Sequence, residues 1–158
     1  MKSRIYLETT IPSYLTARPS RDLIVAAHQQ ITHDWWEKRR PDFDIFISQF
    51  VIDEAEQGDN EASQRRLDIL SDIDLLDITD DVIDLASALL DSKVIPQKAA
   101  TDAAHIAIAT VHNMHFLLTW NCAHMANAEF YTKIKSVCES KGYECPIICT
   151  PEELMGDD

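Results

Sequence analysis

Short apolar runs alternate with longer stretches of helical periodicity along this chain. The runs that predict strands, the last of them a possible fifth strand, span residues 4–8, 44–48, 74–78, 116–120 and 146–150. Between them, apolar residues recur every three or four positions, as in helices that bury one face. One such helix has Thr79 in position to cap its start. The alternation predicts an α/β fold, a three-layer α/β/α sandwich with a central parallel sheet.

Length and charge narrow the classes of protein that fit this pattern. The 158 residues suit one ordinary domain, residues 1–158. Only 14 Lys and Arg face 27 Asp and Glu, which gives a net charge of −13. Non-specific binding of nucleic acid depends on basic surface, so any contact with RNA must be local or carried by metal ions. Arg18 and Arg21, soon after the first strand, are the basic residues best placed to meet a phosphate.

Several other classes are disfavoured by what the sequence lacks. It has three glycines and no glycine-rich pattern of the kind that holds nucleotide phosphates. It has no apolar run of about 20 residues, the length that spans a membrane, and its start does not resemble a signal peptide. The four cysteines form no Cys-x-x-Cys pair, which argues against structural zinc and for reduced thiols. We therefore expect a cytoplasmic protein without membrane contact.

Four polar residues stand where an α/β sheet places its ligands. Such sheets bind ligands at the carboxyl ends of their strands, where the strand order reverses. Glu8 ends the first predicted strand, and Asn121 directly follows the fourth. Glu54 and Asp102 lie early on helices. Taken singly, each of these residues has a simpler interpretation, as a solvated acid, as a partner of the helix dipole or as a turn residue.

The segments around these four residues resemble one known family. They read Tyr-Leu-Glu-Thr-Thr at 6–10, Val-Ile-Asp-Glu-Ala at 51–55, Thr-Asp-Ala-Ala-His-Ile-Ala at 101–107 and Leu-Thr-Trp-Asn-Cys at 118–122. Together they are similar to the PIN-domain pattern, and Asp-Ala-Ala-His-Ile-Ala is the most specific part. The segment Trp-Asn-Cys-Ala-His-Met-Ala-Asn at 120–127 resembles a VapC-like branch. The resemblance covers about residues 4–150.

The resemblance implies an α/β/α sandwich that cleaves RNA phosphodiester bonds with Mg²⁺ or Mn²⁺. It implies that Glu8, Glu54, Asp102 and Asn121 converge as the catalytic residues and the metal ligands. Clustered carboxylates repel one another unless a cation neutralises them, and oxygen ligands select hard ions. The resemblance also implies a cognate antitoxin as a protein partner and a homodimer. Trp35 and Trp36 are either an aromatic surface for that dimer or part of the core.

Two departures from the family pattern bear on activity. Most members have Asp where this chain has Glu8, and Asn121 can ligate through its carbonyl oxygen but brings no charge. The alternative function is therefore a catalytically weak or inactive PIN-like module that acts through protein or nucleic-acid binding. His105 lies between small apolar residues, which predicts a packed core histidine with one hydrogen bond. Asn127 is a candidate for a supporting role beside the site.

Overall fold

Five short strands form one parallel sheet in the computed structural model, which describes residues 1–156. The sheet order is β3-β2-β1-β4-β5. The strands are β1 (Ser3–Leu7), β2 (Phe43–Ser48), β3 (Asp74–Leu76), β4 (Phe116–Leu118) and β5 (Ile147–Cys149). All four neighbouring pairs are parallel. The predicted strands and the possible fifth are confirmed, although β1, β3, β4 and β5 end one or two residues earlier than the sequence suggests.

Seven helices cover the two faces of the sheet. They are α1 (Thr10–Thr16), α2 (Leu23–Lys38), α3 (Gln49–Ala55), α4 (Asn60–Leu70), α5 (Asp80–Asp91), α6 (Ala100–Val111) and α7 (Ala128–Ser140). Right-handed crossovers place α1–α4 on one face and α5–α7 on the other. The contacts agree, since α1 packs on α2 and α4 whereas α5 packs on α6 and α7. None of the described helices combines the length and the apolar character that a bilayer crossing requires.

The strand order creates a switch point beside β1. From β1 the chain builds outward through β2 and β3, then returns to place β4 on the other side of β1. Leu7 at the end of β1 pairs with Leu118 at the end of β4. The connections that leave these two strands diverge, so a crevice opens at their carboxyl ends. Glu8 and the segment that contains Asn121 both follow strands that end at this crevice.

The core explains why the strands read as unbroken apolar runs. Ile5, Tyr6 and Leu7 are fully buried because helices cover both faces of the sheet. Trp35 on α2 is also fully buried and stacks on Phe43, with ring centroids 5.9 Å apart. It is therefore a core residue and offers no surface to a dimer.

The start of α2 shows where apolar spacing misleads. The spacing that predicted this helix begins at Leu23, yet the side chain of Leu23 is 87% exposed and Ile24 is 69% exposed. The buried residues of α2 are instead Gln29, Thr32 and Trp35. Asp22 caps the helix through hydrogen bonds to two backbone N–H groups. Capping rather than apolar burial therefore fixes where α2 begins.

Leu117 offers a test of the central sheet. It is fully buried in the middle of β4 and pairs with Tyr6 on one side and Ile148 on the other. Leu117→Ala removes buried methyl groups from a packed site and should lower the free energy of unfolding by about 2–5 kcal/mol. Leu23→Ala, at an exposed position, should change it by no more than about 0.5 kcal/mol. Equal losses for the two variants in urea denaturation would contradict the assignment of β4 to the core.

Candidate metal centre

Glu8 is a buried carboxylate held between the ends of β1 and β4. The residue is only 4% exposed. One oxygen, Oε1, accepts three hydrogen bonds: from the Thr10 backbone N–H at 3.0 Å, the Thr10 hydroxyl at 2.5 Å and the Thr119 hydroxyl at 2.8 Å. The Thr10 hydroxyl in turn accepts the Trp120 backbone N–H at 2.8 Å. These bonds fix the carboxylate and join the segments that follow the two strands.

Glu54 lies on α3, the helix that directly follows β2. Its Oε1 accepts the Thr9 hydroxyl at 2.7 Å and pairs with His105 Nε2 at 2.5 Å. The Glu54 side chain is 32% exposed, so it faces both the protein and the crevice. Partial burial raises the pKa of this carboxyl. The hydrogen bonds from His105 and Thr9 and the charge of His105 outweigh burial, and the pKa lies below its ordinary value.

His105 is the inner end of a buried polar chain. It is fully buried, as the sequence predicts, but it makes two hydrogen bonds rather than one. Its Nδ1 is 2.7 Å from the Tyr6 hydroxyl, which is 2.7 Å from the Ser48 hydroxyl. Burial raises the pKa of Tyr6 well above its ordinary value, so Tyr6 stays a neutral hydroxyl. These hydrogen bonds link β1 and the end of β2 to Glu54 through His105 on α6.

Two hydroxyls of this network come from residues at helix starts. Thr9 precedes α1 and Ser48 precedes α3, and neither side chain caps its helix. Thr9 donates to Glu54 instead, and Ser48 bonds to Tyr6. A Ser or Thr before a helix ordinarily satisfies the free N–H groups of the first turn. Sequence reasoning would read both as caps, so it contains no signal for the role that they have here.

The arrangement leaves one oxygen of each carboxylate available. Glu8, Glu54 and His105 each place one potential ligand atom within 4.8 Å of the others. Both carboxylates use Oε1 for their hydrogen bonds, and within residues 1–156 neither Oε2 accepts one. In the same range, Trp35 Nε1 is the one side-chain polar atom that is both buried and without a partner. Glu8 Oε2 also lacks a partner, so it is not fully buried and reaches solvent. Two close carboxylates with free oxygens suit a hard divalent cation.

Asp102 lies beside this cluster rather than within it. It is in the first turn of α6, three residues before His105, and therefore on the same helix face. Its Oδ2 is 3.1 Å from Nδ1 of His124, and 18% of its side chain is exposed. The ring of His124 packs edge-on against Phe130. Sequence reasoning did not single out His124, although it lies in the 120–127 segment.

Asn121 uses its side-chain oxygen locally. Its Oδ1 accepts the backbone N–H groups of Ala123 at 3.2 Å and His124 at 3.1 Å, as a turn residue does. Asn127 closes the same turn, since its Nδ2 donates to the Cys122 carbonyl and its Oδ1 caps α7. Asn127 thus supports the loop after β4. The place of Asn121 in a metal shell stays a prediction.

Comparison with known proteins identifies the fold. No protein-family model and no curated protein matches this sequence. VapBC2 from Rickettsia felis, solved bound to a DNA fragment from its promoter, matches with a TM-score of 0.58 and 20% identity over 93% of this chain and 98% of that one. FitAcB from Neisseria gonorrhoeae matches with a TM-score of 0.57 and 17% identity over 95% and 99%. The chain has a PIN-like fold. The fold that the sequence motifs predict is confirmed.

The PIN-like fold brings together part of the predicted site. The structure places potential ligand atoms of Glu8 and Glu54 within 4.8 Å of each other. Asp102 and Asn121 border the crevice on the helix and the turn that flank it. Three threonine hydroxyls donate hydrogen bonds to the carboxylates of Glu8 and Glu54. They belong to Thr9, Thr10 and Thr119. The threonines lie inside the segments that carry the resemblance, but the sequence does not indicate which carboxylate each of them bonds to.

Asn121→Asp tests whether position 121 belongs to the metal shell. An Asp can keep Oδ1 for the turn and place a charged Oδ2 where Asn121 has its amide nitrogen. An added charge near a cation is worth about 1–3 kcal/mol at an effective dielectric near 20. Mn²⁺ should therefore bind roughly ten-fold more tightly, since ~1.4 kcal/mol is a factor of ten. Titration calorimetry with Mn²⁺ measures the difference.

Asp102→Asn is the matched opposite change for the same titration. It removes a charge from the crevice at nearly constant volume, so Mn²⁺ affinity should fall. If Asn121→Asp leaves the affinity unchanged while Asp102→Asn lowers it, Asn121 is only a turn residue. If neither variant changes the affinity, both residues lie outside the metal shell.

Proposed function

We propose that this chain is a metal-dependent endoribonuclease of the VapC-like toxin type, which hydrolyses RNA phosphodiester bonds. The observation that carries the proposal is the pair of carboxylates at the switch point, each fixed through one oxygen and free at the other. Glu8 and Glu54 thus offer two oriented anionic ligands in a crevice that reaches solvent. The likeness to VapBC2 and FitAcB supports the same reading.

The ligands that we assign to Mg²⁺ or Mn²⁺ are Glu8, Glu54, Asp102 and Asn121. Such an ion, when bound, polarises a phosphate and activates water for in-line displacement. The protein fixes the ligands in advance. The threonine hydroxyls hold the carboxylates of Glu8 and Glu54, and His124 orients that of Asp102. Preorganised ligands need no rearrangement when substrate arrives, which favours catalysis over simple binding.

A groove at the far end of α1 supports a local contact with RNA. It has a volume of about 510 Å³, and Arg18, Arg65 and Arg66 line it together with Asp59 and Glu61. Arg66 is fixed by bonds to the Ala55 and Gln57 carbonyls. Arg18 and Arg65 are exposed, and neither takes part in a salt bridge within residues 1–156.

The position of this groove relative to the candidate metal centre suits a single strand of RNA. The helix α1 begins at Thr10, which bonds to Glu8, and its seven residues span about 10 Å at 1.5 Å each. A strand with its reacting phosphate at Glu8 would thus place a nearby phosphate at Arg18. This gives the acidic chain the local basic contact that it needs to hold RNA.

The proposed partners follow from the same fold. An antitoxin is supported by the likeness to VapBC2 and FitAcB, and a basic segment of it would suit a chain of net charge −13. The homodimer stays a prediction. Trp35 is excluded from its interface by burial, whereas Leu23 and Ile24 expose apolar surface at the start of α2. This exposed pair is where we place the contact with a second copy or the antitoxin.

One observation favours the alternative of a binding module with weak or no catalysis. The Oδ1 atom of Asn121 already accepts two backbone N–H groups, so position 121 supplies neither a charge nor an unused oxygen of that amide. Fewer anionic ligands weaken a second metal site first. The two functions differ in one result, which is whether metal-loaded protein that binds RNA also cleaves it.

Glu54→Gln should abolish RNA cleavage. The substitution preserves shape but removes an anionic ligand at the centre of the cluster, and we expect the rate to fall at least 100-fold. Asp53→Asn is the control, because Asp53 is an exposed acid on the same helix. The assay follows a panel of unstructured RNAs on gels with Mn²⁺. Equal cleavage by Glu54→Gln and the wild type would contradict the assignment of Glu54 to the site, and no cleavage by a wild type that binds Mn²⁺ and RNA would establish the alternative.

Arg18→Ala should weaken RNA binding without affecting the metal site. Loss of one phosphate contact lowers the slope of log affinity against log salt by about 0.7 for a single strand. Arg21→Ala is the matched control, since Arg21 is exposed nearby but does not line the groove. Fluorescence anisotropy of a labelled single-stranded RNA at several salt concentrations gives both slopes. Equal salt-dependence slopes for the two variants would show that RNA does not contact the groove through Arg18.

A further inference from the structure

We propose that His105 is a positioning residue that donates a hydrogen bond to Glu54 and is not itself a metal ligand. The inference rests on the proposed function, since it concerns the metal site of that enzyme. A ring nitrogen of His105 is close enough to Glu8 and Glu54 to share an ion with them. Proximity alone would therefore assign it as a third ligand. The hydrogen-bonding partners of its two ring nitrogens decide otherwise.

The proton on Nε2 follows from its partner. A carboxylate that binds a metal is deprotonated, and an ionised carboxylate only accepts hydrogen bonds. The 2.5 Å contact between Glu54 Oε1 and His105 Nε2 therefore has its hydrogen on nitrogen. A nitrogen that bears a hydrogen has no lone pair for a cation. Nε2 thus serves Glu54, and the metal meets oxygen ligands alone.

The other ring nitrogen of His105, Nδ1, also has a hydrogen-bonding partner. Nδ1 is 2.7 Å from the Tyr6 hydroxyl, which is held at 2.7 Å by the Ser48 hydroxyl. A neutral ring that accepts the Tyr6 hydroxyl at Nδ1 has its hydrogen on Nε2, and a charged ring has a hydrogen on both nitrogens, so Nε2 is a donor in either form. Ser48 stands at the start of α3 yet gives its hydroxyl to Tyr6 rather than to the helix end. Both partners therefore fix the ring in the form that faces Glu54 with a donor.

This donor determines which oxygen of Glu54 faces the crevice. His105 and Thr9 both bond to Oε1, and together they fix the carboxylate plane so that Oε2 is left for the ion. Partners that orient ligands typically change metal affinity by 10–100-fold when they are removed. A packing role alone predicts lost stability without a change specific to metal binding. The two roles can be separated by experiment.

The experiment compares His105→Gln, His105→Leu and Thr110→Val with the wild type by Mn²⁺ calorimetry and thermal melting. Thr110 is the matched control, because it is a fully buried polar residue on the same helix that bonds to a backbone carbonyl. We expect roughly ten-fold weaker Mn²⁺ binding for His105→Leu, most of it recovered in His105→Gln, whose amide can still donate. Thr110→Val should bind Mn²⁺ as the wild type does.

Pulsed electron paramagnetic resonance of bound Mn²⁺ provides the second readout, because it detects directly coordinated nitrogen. A nitrogen coupling present in the wild type and lost in His105→Gln would overturn the proposal by making His105 a ligand. The proposal is also overturned if His105→Leu and His105→Gln both bind Mn²⁺ with the affinity of Thr110→Val. If His105→Leu fails to fold, His105→Gln and the resonance spectra still decide. A wild type that binds no Mn²⁺ overturns the proposed function together with this inference.

Discussion

The repulsion between two carboxylates in one crevice is the constraint on which the rest of the site depends. Glu8 and Glu54 come within 4.8 Å of each other, and Glu8 is almost fully buried. Buried like charges are costly unless donors or a cation compensate them. The protein supplies donors to one oxygen of each, and the remaining charge is left for a cation. The two free carboxylate oxygens therefore suit a positive ion.

Two hydroxyls of the network around these carboxylates come from residues at helix starts: Thr9 donates to Glu54, and Ser48 bonds to Tyr6. Thr9 and Ser48 give up capping of α1 and α3, a role ordinarily worth about 0.5–2 kcal/mol each. Glu8 compensates in part, because its carboxylate accepts the Thr10 N–H in the first turn of α1. The site thus exchanges local helix stability for the orientation of its ligands. Such exchanges are characteristic of functional regions, where local and global preferences conflict.

Much of the fold could be predicted from the sequence, and part of the site. Strands buried on both faces read as unbroken apolar runs, and strand–helix alternation then fixes the class. Glu8 and Glu54 were predicted from the end of the first strand, from the helix after the second strand and from the family resemblance, and the structure places their carboxylates close together. Their role as metal ligands stays a prediction. The double role of His105 could not be found, since its partners Tyr6 and Glu54 are 99 and 51 positions away in the sequence. Sequence spacing carries no information about such distant hydrogen bonds.

The order of strands also governs when the crevice can exist during synthesis. Glu8 is made at the start of the chain, but its partner Thr119 is 111 residues later and enters only with β4. The ribosome releases the N-terminal part first, so β1 to β3 emerge while the other side of β1 is still open. An open central strand is an edge that can pair with other chains. Insertion of β4 therefore closes the aggregation-prone edge and brings Thr119 to Glu8 in one late step.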